Sequence, residues 1–176
     1  LLLLVTPALA GPEATHTGIL TTERLDIRYR PKSRAGAAAE RDGAMAERDL
    51  KDICGRLAFT PEGRFALYLY DDVPELSAIT GTTGNAGYSA GRETHLPYGN
   101  DQTRYHELVH LVAAQLPKSG DEARGMFLVE GLANALLGHV HGVHVHAVAK
   151  FYRVRKELPP LRAFLAADFY DWLRAH

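Results

Sequence analysis

An apolar helix that carries three ionisable side chains within two turns constrains this chain more than any other feature. Residues 103–116, TRYHELVHLVAAQL, have leucine and valine at the spacing of an amphipathic helix. The same segment contains His106, Glu107 and His110. Burying unpaired imidazoles and a carboxylate costs several kcal/mol unless partners compensate. The fold must therefore supply a partner for these groups.

The spacing of the two histidines is typical of a metal site. His106 and His110 are four residues apart, which places both imidazoles on one face of a helix, one turn apart. At this separation both can reach one zinc ion at about 2.0–2.1 Å. Glu107 lies beside this face and can act on a nearby water without competing for the same ligand position. The segment therefore predicts two metal ligands and a general base, the HExxH arrangement.

A catalytic zinc ion needs a third protein ligand and an open position. Glu130 is the candidate, because it is an isolated charge in the apolar segment FLVEGLANAL. A helix break before this segment would let the second helix fold back antiparallel and bring Glu130 to the histidine pair. Without a metal, the histidines would be satisfied helix residues and Glu130 would form an ion pair with Arg104 or Arg124.

HELVH followed at this spacing by EGLAN resembles the gluzincin zinc metallopeptidases, the thermolysin-like group, and particularly their minimal bacterial domains. The resemblance is close over residues 105–137, looser over residues 64–98 and weak elsewhere. It implies a zincin-like fold and hydrolysis of peptide bonds in a peptide or protein substrate. It also implies Glu107 as the general base and three zinc ligands, His106, His110 and Glu130.

The resemblance extends to supporting residues. Asn134 stands where the family often has an aspartate that orients a ligand histidine, and an amide can still accept an N–H bond there. The family usually brings a tyrosine or histidine from further along the chain to the oxyanion. Tyr152, Tyr170 and the histidine cluster at residues 139–146 are candidates, although none lies in a recognisable motif. In similar domains a later helix carries this tyrosine, which raises the alternative that the chain is truncated at its C-terminus.

Five further histidines leave alternatives open. Four of them form the segment GHVHGVHVH, at positions 139, 141, 144 and 146. Such density is typical of a second metal site, yet alternating histidine and valine is also common on a solvated surface. His95 lies in a predicted strand and either lines the cleft or is a structural residue.

The order of the predicted elements, strands and a helix first and then helices only, predicts an α+β fold. With the zincin-like resemblance, we expect a small mixed sheet packed on the metal-binding helices and a helical C-terminal part. Strands are predicted at residues 18–31, 64–72 and 93–98, and helices at 35–59, 73–80, 103–116, 126–139 and 145–158. Asn100 or Asp101 is the predicted N-cap of the HELVH helix. The glycine-rich residues 81–91 are predicted to be a flexible connection. Strand 93–98 is predicted to be the sheet edge to which a substrate peptide adds.

The N-terminal residues 1–10, LLLLVTPALA, are typical of a signal-peptide remnant that ends in a small-x-small cleavage site. They are too short for the ~20 residues that span a bilayer, and the alternative is a buried strand or short helix. We therefore expect an exported bacterial protein, periplasmic or extracellular, with a single domain over residues 11–176. Cys54 is the single cysteine, so no internal disulfide forms, and its apolar context predicts a core position.

Net charge excludes one class of partner and leaves three functional classes. The formal charge of −1 offers no electrostatic basis for binding nucleic acid or an anionic membrane. The leading expectation is a zinc peptidase. The alternatives are a catalytically silent, zinc-holding binding domain of the cell envelope and a helical interaction domain without metal. A divalent ion other than zinc is also compatible with two histidines and a glutamate.

Overall fold

The computed structural model describes residues 11–83, 86–116, 126–140 and 142–156, and its fold is α+β as predicted. The predicted signal-peptide residues 1–10 lie outside this description. The described helices are α1 Pro12–Thr15, α2 Arg34–Leu57, α3 Val73–Thr80, α4 Asp101–Gln115, α5 Met126–Leu137 and α6 Val145–Arg155. The strands are β1 Gly18–Thr21, β2 Leu25–Tyr29, β3 Phe65–Tyr70, β4 Tyr88–Ala90, β5 Glu93–Pro97, β6 His139–Val140 and β7 Val143–His144.

Five strands form one mixed sheet in the order β1-β2-β3-β5-β4. The three inner strands are parallel, and an antiparallel hairpin closes each edge. The predicted single strand over residues 18–31 is wrong, because Thr22 turns the chain back into β2. The Thr22 amide and hydroxyl both donate to the Leu25 carbonyl oxygen, at 2.9 and 3.2 Å, which closes this turn.

The predicted edge strand lies inside the sheet. β5 pairs with β3 on one side and with β4 on the other, so its backbone is not available to a substrate peptide. The edge position belongs to β4, which comes from the end of the glycine-rich segment predicted to be a flexible connection. The sequence could not indicate this order, because strand pairing depends on partners that are distant along the chain.

One hydrophobic core joins the sheet to helices α2 and α4. Ser33 caps α2 by accepting a hydrogen bond from the Gly36 amide at 2.9 Å. Small residues on the buried face of α2 allow a close approach to β2: a Cβ at Gly43 would lie 3.0 Å from Ile27 Cδ1. Cys54 is buried in this core, as predicted. The other core residues include Leu25, Leu50, Ile53, Phe65, Leu67, Leu69, Leu96, Leu108, Val109, Leu111 and Val112.

No helix within the described ranges combines the length and hydrophobicity that crossing a bilayer requires.

One histidine of the sheet, His95, is buried among tyrosine rings. The His95 ring stacks between Tyr68 and Tyr88, with ring centroids 4.5 and 4.6 Å away. Its Nδ1 atom lies 2.9 Å from the Tyr70 hydroxyl. Burial, and to a smaller extent the charge of the nearby His16, lowers the pKa of His95 to about 4. His95 is therefore neutral in the folded protein at neutral pH.

The lowered pKa of His95 predicts a loss of stability in mild acid. Between about pH 6.5 and pH 4 the unfolded chain takes up a proton at this position and the folded protein does not. The contribution of His95 to stability is therefore fully present above this pH range and is lost as the pH falls through it. Acidification from about pH 7.5 to about pH 4.5 is expected to remove roughly 2 to 3 kcal/mol through His95. Urea unfolding in EDTA measures this loss.

Two variants separate the contribution of His95 from that of other groups. His95→Gln has no titrating ring, so its free energy of unfolding is expected to depend less on pH over this window. His139→Gln replaces an exposed histidine and should retain the wild-type dependence. Equal pH dependence in His95→Gln and the wild-type protein would contradict the prediction.

Candidate metal centre

Helices α4 and α5 carry the candidate ligands, and the core holds both helices in place. The Asn100 side chain caps α4 by accepting from the Thr103 amide at 3.1 Å, as predicted. α4 packs against α2 and α5. From α2, Arg56 donates to the Leu136 carbonyl oxygen of α5 at 2.5 Å and to the Tyr105 hydroxyl of α4 at 3.0 Å. These contacts hold the two helices at one mutual orientation.

The three predicted ligands converge at the contact of α4 with α5. The Nε2 atoms of His106 and His110 are 2.9 Å apart. Glu130 Oε2 lies 3.2 Å from His106 Nε2, and Glu130 Oε1 lies 3.4 Å from His110 Nε2. A tetrahedral zinc ion at about 2.0–2.1 Å from each ligand atom keeps those atoms roughly 3.3 Å apart. The two imidazole nitrogens approach this spacing, although the two Glu130 contacts use different oxygens, and one ligand atom from each of the three residues lies within 4.8 Å of the others.

The charge of the Glu130 carboxylate suits a cation. Hydrogen bonds with His106 and His110 lower the pKa of Glu130 to about 2, so the carboxylate is ionised at neutral pH. Burial alone would lower the pKa of His110, but the hydrogen bond and charge of Glu130 outweigh it and the pKa is raised. Among the described residues, one group of three histidine, cysteine or acidic side chains brings its ligand atoms together, and it consists of His106, His110 and Glu130.

The structure does not contain the alternative ion pair between Glu130 and Arg104. The Arg104 guanidinium is buried and donates to Asp49 at 2.8 Å and to Asp101 at 2.7 Å. These two carboxylates account for its charge. Arg124, the other proposed partner, lies outside the described residues.

Glu107 lies in the same cleft as the ligand cluster. The cleft has a volume of about 440 Å³ and is bounded by β4 on one side and by α4 and α5 on the other. The Glu107 side chain is buried, and its Oε2 atom accepts a hydrogen bond from the Ser89 hydroxyl at 2.9 Å. Burial raises the pKa of Glu107, which the Ser89 hydrogen bond and the nearby histidines partly offset. A carboxylate of this kind is suited to accept and release a proton.

Two residues of this cleft had no signal in the sequence. Gly87 and Ser89 belong to the glycine-rich segment, whose composition indicated only a connection. A Cβ at Gly87 would lie 2.7 Å from Thr103 Cγ2 and 3.3 Å from Glu107 Cγ, so glycine permits β4 to approach α4 closely. Their role depends on the pairing of β4 with β5, which only the folded chain establishes.

The remaining predicted site residues lie elsewhere or stay untested. Tyr152 lies on α6, is 42% exposed and does not line the cleft. Tyr170 lies outside the described residues. His95 is 2% exposed and does not line the cleft, which favours the structural alternative. Asn134 follows Glu130 by one turn, and in the described part of the chain no hydrogen bond joins its side chain to His106 or His110. Its orienting role remains a prediction.

The histidine-rich segment forms an exposed hairpin followed by α6. His139 and His144 are cross-strand partners with ring centroids 5.3 Å apart, and His146 lies 5.1 Å from His144. Where the chain is described, these three rings do not bring their ligand atoms together as the α4–α5 cluster does. His141 lies outside the described residues. The geometry thus favours a solvated surface over a second site built from these three residues.

Comparison with known proteins adds no relative: no protein-family model matches the chain, and neither does any curated protein. The class of protein is therefore defined by fold and site alone. The chain is an α+β protein whose sheet and helices enclose a His/His/Glu candidate metal centre with a buried glutamate beside it.

Proposed function

We propose that this protein is a zinc-dependent peptidase of the gluzincin type. The observation that carries the proposal is the common cleft of Glu107 and the cluster His106, His110 and Glu130. A binding domain needs only the metal cluster. A hydrolase needs in addition a base beside it and room for a substrate, and the position of Glu107 in a cleft of about 440 Å³ supports both requirements.

The donor set favours zinc among divalent ions. Two imidazole nitrogens and one carboxylate oxygen are the ligands of many catalytic zinc sites, which keep a further position open. Here the cluster borders the cleft, so the open position would face it. A zinc ion held there would polarise the scissile carbonyl group and lower the pKa of a water molecule.

The protein's own residues would handle the protons. Glu107 would accept a proton from the attacking water and then pass it to the leaving amine. Its raised pKa favours the first step, because a more basic carboxylate takes a proton from water more readily. His106 and His110 must stay unprotonated at Nε2 to act as ligands.

Metal analysis combined with a hydrolysis assay tests the proposal. Protein purified without a histidine tag and without chelators is expected to contain stoichiometric zinc. It should cleave a quenched fluorescent peptide library, lose this activity in 1,10-phenanthroline and regain it with added zinc. Zinc-free protein, or hydrolysis that chelation does not affect, would contradict the proposal. Stoichiometric zinc without hydrolysis of any peptide or protein would instead favour a binding domain.

A further inference from the structure

The Ser89 hydroxyl, which lines the cleft, makes three polar contacts. Its Oγ atom lies 2.9 Å from Glu107 Oε2 and also 2.9 Å from the Glu107 main-chain carbonyl oxygen. A third contact, at 3.0 Å, joins it to Thr94 Oγ1. One side chain of β4 therefore touches both the backbone and the carboxylate of the residue proposed as the base.

The strand pair fixes the position of this hydroxyl. Ser89 and Thr94 are register partners in the β4–β5 hairpin. Thr94 is completely buried, and its own hydroxyl donates to the Tyr88 carbonyl oxygen at 3.3 Å. The Ser89 hydroxyl is thus held by a paired strand and does not depend on a flexible loop.

A glutamate needs such an anchor if it is to act as a base. Its side chain has three rotatable bonds, and a displacement of about 1 Å at a reacting group can cost roughly 100-fold in rate. The Ser89 contact occupies Oε2 of Glu107. The second oxygen, Oε1, would then accept the proton of the attacking water.

We propose that Ser89 is a positioning residue that holds the Glu107 carboxylate in the orientation required for proton transfer. The proposal rests on the proposed peptidase function. The competing explanation is that the hydroxyl only satisfies a buried carboxylate. In that case its loss would lower stability but would leave turnover by the folded protein unchanged.

Steady-state kinetics on zinc-loaded protein separates the two explanations. Ser89→Ala is expected to lower kcat by about tenfold, with KM within about twofold of the wild-type value and full zinc content. Ser89→Thr keeps the hydroxyl on a β-strand and should restore most of kcat. Ser77→Ala, on α3 and outside the cleft, is the matched control with wild-type kcat. Wild-type kcat in Ser89→Ala, or no recovery in Ser89→Thr, would overturn the proposal.

A double-mutant cycle gives a readout that does not need turnover. Urea unfolding of Ser89→Ala, Glu107→Ala and the double variant is expected to show coupling of roughly fivefold or more in the unfolding equilibrium. Independent effects would show that Ser89 does not hold the carboxylate and would overturn the proposal. Absence of hydrolysis in the wild-type protein would refute the proposed function, and the cycle would still decide whether Ser89 anchors Glu107.

Discussion

Glu107→Gln is expected to lower kcat for peptide hydrolysis by roughly 1,000-fold while the protein keeps its zinc. The amide has nearly the same size and can still accept the Ser89 hydrogen bond, so the cleft should keep its shape. It cannot take a proton from water at neutral pH, which removes general-base catalysis. Single-turnover or steady-state assays with a quenched fluorescent peptide, together with elemental analysis, measure both quantities.

Glu40→Gln is the matched control for this prediction. Glu40 is an exposed glutamate on α2 and does not line the cleft, so the same chemical change there should leave kcat and zinc content at wild-type values. Loss of zinc in Glu107→Gln would show that Glu107 acts as a ligand. Retention of full activity would show that the protein uses another base, or that the observed hydrolysis comes from a contaminant.

Glu130→Ala is expected to weaken zinc binding by more than about 100-fold. Loss of an outer partner of a ligand already weakens metal binding by about 10- to 100-fold, so loss of a ligand itself should exceed about 100-fold. Zinc stabilises the folded protein in proportion to the logarithm of its affinity. A 100-fold loss at saturating metal therefore removes about 2.7 kcal/mol of that stabilisation. Competition titration with a chromophoric chelator gives the affinity, and thermal unfolding with and without zinc gives the stabilisation.

The geometry makes this prediction specific to Glu130. Its two oxygens face the two histidines at 3.2 and 3.4 Å, and the hydrogen bonds that lower its pKa come from the same two residues. Glu40→Ala should leave both measurements unchanged. Zinc affinity in Glu130→Ala equal to that of the wild-type protein would remove Glu130 from the proposed ligand set and would contradict the proposed gluzincin function.

Local sequence was sufficient for those parts of the fold that depend on near neighbours. The helices at residues 34–57, 73–80, 101–115 and 126–137 begin and end close to their predicted bounds, because periodicity and caps such as Asn100 act within one or two turns. The same holds for His106 and His110, whose shared face follows from the helical repeat alone.

Pairing between distant segments was predicted less well. Strand β4 was not predicted, and β5 was placed at the edge although it lies inside the sheet. Short strands with few alternating residues carry little local signal, and their partners are set by the packing of the whole sheet. The sequence carries no signal for Ser89 for this reason, since its proposed role depends on the contact of its hydroxyl with Glu107 of α4.

By itself, the sequence determined the α+β class, because the order of strands and helices follows from local patterns. It also determined the positions of the histidine pair and the adjacent glutamate, because an α-helix fixes them within about one turn. Only the tertiary structure decided that Glu130 reaches the histidines, that Arg104 pairs with other carboxylates, and that Ser89 touches Glu107. The physical reason is range: a helix relates residues four apart by fixed geometry, whereas contacts between α4, α5 and β4 depend on how the shared core packs.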